Sequence, residues 1–321
     1  MKGKLFALAL AMLLLLLTAA CGTQAPPPPA EEAPPAEAAA ASPTVDTDRA
    51  GNPIELPETI ETILSLGPSN TEILTALGFG DKIIGTDSFS TDIPGLPAEL
   101  PLFDMMSPDG EQMIALAPDV IFVTGMMQVD GLDPLGIVRD AGITVIYTHS
   151  LRSSESIAGI IEDIRFIAAV MGASEQGEAI VREMESEVAR IRAIAATISE
   201  RKTVYFEIDA PPFMFSFGRG VFLHEMLEII GAENVFADQN QWFSVADEAV
   251  LERNPDVILT NVSYLDDPVG DILNRLGWES ITAVSEGRVY VIDANASSRP
   301  SHNVVRALEE MARAVYPAYF G

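Results

Sequence analysis

Cysteine is nearly absent: Cys21 is the only one in 321 residues, which excludes any internal disulfide. Histidine is almost as scarce. His149, His224 and His302 are the whole set, no HExxH spacing occurs, and no Cys-based set can hold a metal. Cationic side chains are short as well, with 19 Lys and Arg against 47 Asp and Glu and a formal net charge of −28. Nucleic acid and anionic membrane faces both need cationic partners, so neither is expected to be bound. The acidity is read as solubility and says nothing about fold. No GxSxG elbow is present, since Gly67-Pro68-Ser69-Asn70-Thr71 lacks the spacing. Gly78-Phe79-Gly80 follows a helical stretch instead of opening one, so it fails the context of a dinucleotide loop. An enzyme is therefore not expected, and no resident cofactor or metal is assigned. A surface α/β hydrolase would need a nucleophile and base that are not visible, and a structural adhesin would need repeats or a large apolar surface.

What is present starts with a leader. Lys2 and Lys4 precede an apolar run at 6–17, whose twelve residues are too few to span a bilayer and suit a secretory signal. Leu17-Thr18-Ala19-Ala20-Cys21 is similar to a bacterial lipobox, in which cleavage before Cys21 accompanies lipidation of its sulfur; Thr18 stands where Leu is usual. The alternative is an ordinary signal with a bystander cysteine. Residues 1–20 are thus expected to be a signal peptide, and losing their two lysines takes the charge to about −30. Residues 21–46 carry the tract QAPPPPAEEAPPAEAAAASP, without aromatics or an apolar period, and are expected to be a lipid-anchored tether. That places the folded part outside the cytoplasm, held to the cell membrane by its lipid alone.

Two stretches occur twice. EQMIALAPDVIFVT at 111–124 and EAVLERNPDVILTN at 248–261 each open on a Glu, reach Pro-Asp seven residues later and continue as an apolar strand. Upstream of them, EILTALG at 72–78 and EMLEIIG at 225–231 form a second pair in the same order. Two copies are too few for a solenoid and indicate two similarly built lobes. Strands alternating with helices predict parallel sheets covered on both faces. The lobes are expected at 47–151 and 173–321, with a connecting helix at 152–172 whose apolar residues recur at helical spacing from Ile157 to Ala168, Ser153 and Ser154 being its N-cap candidates.

Several large apolar residues fall where loops are expected: Phe89, Met105, Met106, Met126, Met127, Phe213, Met214, Phe215, Phe217 and Trp242. Loops of both lobes carrying such side chains suggest the walls of a cleft, and methionine adapts to irregular ligands. Gly218-Arg219-Gly220 precedes a helix, where backbone N–H groups and one guanidinium would hold an anionic group; a plain turn is the alternative.

SLGPSNTEILTALGFGDKIIG at 65–85, EQMIALAPDVI at 111–121, FLHEMLEIIGAENVFAD at 222–238, WFSVADEAVLERNPDVIL at 242–259 and the terminal SSRPSHNVVRALEEMA resemble one family. It is that of the substrate-binding lipoproteins of ABC importers for iron-siderophore complexes, haem and vitamin B12, and the likeness runs from about Thr47 to the end. The resemblance implies an α/β fold of two Rossmann-like lobes with central parallel sheets, joined by one long α-helix, with a ligand cleft between them. It further implies a monomer that meets a permease and its ATPase, with Glu111 and Glu248 facing permease arginines. For the ligand it implies an iron-siderophore-type metal chelate, with cobalamin or haem as alternatives in the same architecture. The residues expected to bind it are Phe89, Met105, Met126, Phe213, Phe215, Arg219, Trp242 and Arg299. Arg299 sits in an RPxP-like segment that departs from the family pattern at Ser301, and Met105 and Thr124 stand where the vitamin B12 binder has aromatics.

Overall fold

The computed structural model describes residues 45–127, 134–148 and 156–321. The leader, Cys21, the tether up to residue 44, His149 and the cap candidates Ser153 and Ser154 lie outside them. The first lobe contains β1 (Ile63–Ser65), α1 (Pro68–Ala76), β2 (Ile83–Asp87), β3 (Leu102–Phe103), α2 (Gly110–Leu116), β4 (Val120–Val123), α3 (Gly136–Asp140) and β5 (Thr144–Tyr147). Then come α4 (Ile157–Val170) and α5 (Ser174–Ala195). The second lobe continues with β6 (Thr203–Glu207), β7 (Phe215–Phe217), α6 (Phe222–Ile229), β8 (Glu233–Asn234), β9 (Trp242–Ser244), α7 (Asp247–Arg253) and β10 (Val257–Thr260). It ends with α8 (Pro268–Leu273), α9 (Thr282–Ser285), β11 (Val289–Val291), α10 (Ala294–Ser298), α11 (Val304–Val315) and α12 (Pro317–Phe320).

Both lobes obey one plan. The first sheet is ordered β3-β2-β1-β4-β5 and the second β11-β10-β6-β8, every pair parallel. In each, the first strand of the lobe lies centrally and the order reverses beside it, the doubly wound arrangement. The Pro-Asp repeat explains the shared register. Asp119 Oδ2 accepts from the Thr62 N–H and the Thr62 hydroxyl at 2.8 and 3.0 Å, and from the Glu61 N–H at 2.8 Å. Asp256 Oδ2 accepts from the Thr203 N–H and hydroxyl, both at 2.9 Å. Each aspartate thereby fixes the start of its strand against the lobe's central strand, so that Ile63 faces Val120 and Val204 faces Val257. Backbone bonds from Glu61 and Thr62 hold the Asp119 carboxyl below the ordinary aspartate range. The preceding helix stops identically in both copies, on a left-handed residue, Ala117 or Asn254.

The core is continuous. Apolar residues of both central sheets, α1, α4, α5, α6 and α11 form one buried cluster, and smaller clusters lie on the other face of each sheet. α4 begins under the cap of Ser156, whose Oγ accepts from the Gly159 N–H at 3.1 Å. It packs on α1 and α5, and α5 packs on α6, α11 and α12. α11 buries Val304, Ala307, Leu308, Met311 and Val315, a stripe at three- and four-residue spacing. Among the described residues no helix is long and apolar enough to cross a membrane.

Candidate functional site: a cleft where two sheets reverse

Doubly wound sheets bind ligands outside the carboxyl ends of their strands, where the strand order reverses. Here two such points face one another. A cavity of about 470 Å³ is lined by Pro68 and Ser69 after β1, Met105 after β3, Thr124 to Met126 after β4, Ile208 after β6, Asn261 after β10, and Ser297 to Pro300 at the end of α10. Trp242 at the start of β9, with Phe222 and Leu223 of α6, completes the wall. The wall is chiefly apolar, with hydroxyl and amide groups contributed by both lobes. Asn261 Nδ2 donates to Ser297 Oγ and Ser298 Oγ at 3.0 and 3.1 Å. Thr124 Oγ1 is buried without a hydrogen-bond partner among the described residues.

The floor depends on Gly67. Its φ is +110°, and a Cβ there would lie 2.3 Å from Thr124 Cγ2, so only glycine lets the turn after β1 approach the turn after β4. The Gly67 N–H donates to Asp87 Oδ2 at 2.9 Å, and Asp87 also accepts from the Phe89 N–H and Ser90 Oγ, tying the two loops into one polar knot.

Of the expected binding residues, the cavity gathers Met105, Met126, Trp242 and Arg299. Trp242 is partly exposed and rests edge-on against Phe217, centroids 5.8 Å apart. Phe89 stands 65% exposed beside this wall, its carbonyl accepting from Arg299 Nη2 at 2.8 Å. Phe213 is exposed on the loop before β7, and Phe215 is half-buried in the β7–β9 ribbon; neither lines the cavity. Met127, Met214 and Phe217 are core residues, buried in the apolar clusters. The anion loop at 218–220 takes the plain-turn alternative. The Gly218 and Arg219 N–H groups donate to the carbonyls of Gln241 and Gln239, both at 2.9 Å. A Cβ on Gly218 would strike the Gln239 carbonyl, so this glycine serves chain approach. Arg219 itself is exposed away from the cavity.

Arg299 differs most from expectation. Its guanidinium donates to Glu72 Oε1 at 3.1 Å and to Asp92 Oδ1 at 2.8 Å, so its charge is matched within the protein. Burial opposes its charged state, but these two carboxylates outweigh that and raise its pKa further. Sequence reasoning missed the role of Glu72: its place in a repeated motif was visible, its contacts 227 to 231 residues away were not.

Glu111 and Glu248 lie in the first turns of α2 and α7, both exposed. Asp109 caps α2, its side chain accepting from the Gln112 N–H.

An interlobe cavity at two facing switch points defines a two-lobed solute-binding protein. The chain belongs to the periplasmic binding protein family, whose model matches residues 63–296. It is 32% identical over 279 residues to an uncharacterized ABC transporter substrate-binding lipoprotein of Bacillus subtilis, YvrC, covering 86% of each chain. It is 27% identical over 291 residues to a cobalamin-binding protein of Halobacterium salinarum, covering 85% of this chain and 74% of that one. Among solved structures, a possible iron-binding (periplasmic solute-binding) protein of Staphylococcus epidermidis superposes with a TM-score of 0.70 at 27% identity, over 81% of this chain and all of the other.

Proposed function

We propose that this chain captures a bulky metal chelate in the interlobe cavity, with an uncharged face toward the protein, and delivers it to the permease of an ABC importer. One observation carries the choice of ligand: among the described residues, Arg299 is the one charged side chain on the cavity wall, and it is already matched by Glu72 and Asp92. A carboxylate or bare oxyanion entering this cavity loses its water and gains no free cation from the described residues, which is costly. Cobalamin, rimmed by neutral amides, suits such a wall and is the named ligand of the Halobacterium relative. A ferric siderophore of zero net charge is the second reading, supported by the likeness to the Staphylococcus protein. Cys21 is the site of the lipid that holds the protein outside the cell membrane.

Emission from Trp242 tests the reading, because the only other tryptophan, Trp278, is fully buried and serves as a constant background. Cyanocobalamin or a neutral ferric hydroxamate should quench it saturably, and Trp242→Ala should weaken binding roughly tenfold. Saturable binding of carboxylate-rich chelates alone, with no response to neutral ones, would sink the proposal.

A further inference from the structure

The repeated EILTALG and EMLEIIG motifs have no part in the cavity wall or in docking, yet their opening glutamates occupy corresponding places on α1 and α6. Each spends its carboxylate on joining the lobes. Glu72 is buried and accepts from Arg299 Nη1 at 3.1 Å, Asn303 Nδ2 at 2.9 Å, and Ser301 Oγ. Arg299 continues the seam through Nη2 to Asp92 Oδ1 and the Phe89 carbonyl, and Asn295 Nδ2 donates to Asp92 Oδ2 at 2.5 Å. Every acceptor in this seam belongs to the first lobe and every donor to the second. Burial alone would raise the Asp92 carboxyl, but the Arg299 bond and charge, helped by Asn295, hold it below the ordinary range. Glu225 does the reverse job from the second lobe. Its Oε2 accepts from the Ile157 N–H at 2.7 Å, one of the free N–H groups at the start of α4, and α4 packs on α1 of the first lobe.

We infer that Glu72 and Glu225 are paired positioning residues that set the cleft, Glu72 by closing its rear seam and Glu225 by fixing the root of the helix between the lobes. The seam borders a second cavity of about 480 Å³, lined by Glu72, Asp92, Asn295, Arg299 and Asn303 among others. Water can therefore replace its bonds, whereas the apolar core through α4 and α5 has no such substitute. The rear seam is the part that opens when the lobes separate, and the core beside it is the hinge.

The test is an interlobe distance distribution, measured by double electron–electron resonance on the full-length chain carrying Cys21→Ser and spin labels at Asp140→Cys and Glu279→Cys, two exposed positions in different lobes. No ligand is added, so failure here and failure of the ligand reading are separate results. The parent should give one narrow distribution. Glu72→Gln with Asp92→Asn should make it about twofold broader and move its mean, and Glu225→Gln should move the mean. Asp238→Asn, which removes an ion pair to Arg253 within the second lobe, should change nothing. An unchanged distribution in a folded Glu72→Gln/Asp92→Asn protein overturns the inference, as does equal broadening in the Asp238→Asn control. Should Glu72→Gln not fold, Asp92→Asn alone carries the test, since its side chain is 49% exposed.

Discussion

Single residues here hold strands to strands. Asp119 and Asp256 each take backbone and hydroxyl donors from the start of the neighbouring central strand, and removal leaves those donors without their acceptor there. Asp256→Ala should cost about 1–3 kcal/mol, seen as a melting temperature lower by a few degrees, while Asp256→Asn keeps one acceptor and costs less. Titration acts at this scale too. Burial holds the imidazoles of His302 and His224 below the ordinary histidine value of 6.5, against the pull of Glu72 and Glu183 on His302 and of Glu228 on His224. The unfolded chain therefore binds protons near 6.5 that the folded chain refuses. Their contribution is complete above that pH and declines as the pH falls through it. Thermal melts from pH 7.5 to 5.5 should show this decline, and His302→Asn should flatten it.

Among elements, the central strands and long helices were legible because their patterns are extreme. β4 and β10 are the apolar runs that follow Pro-Asp in each repeat, and α7 is bracketed by an acidic first turn and that same Pro-Asp. The ribbon of β7 and β9 was not legible. Strands of three residues carry no period, and Phe217 buries against Phe206 and Trp242, partners far away in sequence. The same limit explains the loop residues. Met105 and Met106 are adjacent and alike, yet one is 8% exposed on the cavity wall and the other 74% exposed. No local pattern separates them. Helix starts carry the docking expectation. Glu111→Ala with Glu248→Ala should leave ligand affinity in place and impair uptake into cells, and unchanged transport in that double variant would remove these glutamates from the docking role.

For the whole molecule, the largest core cluster passes from sheet to sheet through the helices between them, so the two lobes share most of their buried apolar contacts while each keeps a smaller cluster of its own. Leu308 of α11 is fully buried in it; Leu308→Ala should cost about 2–5 kcal/mol and lower the amide-exchange protection of α4 and α5 as well as that of its own lobe. Scanning calorimetry of the folded body should record a single transition whose van't Hoff and calorimetric enthalpies agree, where two independent lobes would give two.

The mirrored aspartate locks have a consequence for inheritance. Register in each lobe is fixed behind the strands, at Thr62–Asp119 and Thr203–Asp256, at the ends remote from the ligand. Loops at the opposite ends are then free to diverge without disturbing strand pairing, which lets a lineage exchange one cargo for another by rewriting a few turns while the sheets descend unchanged.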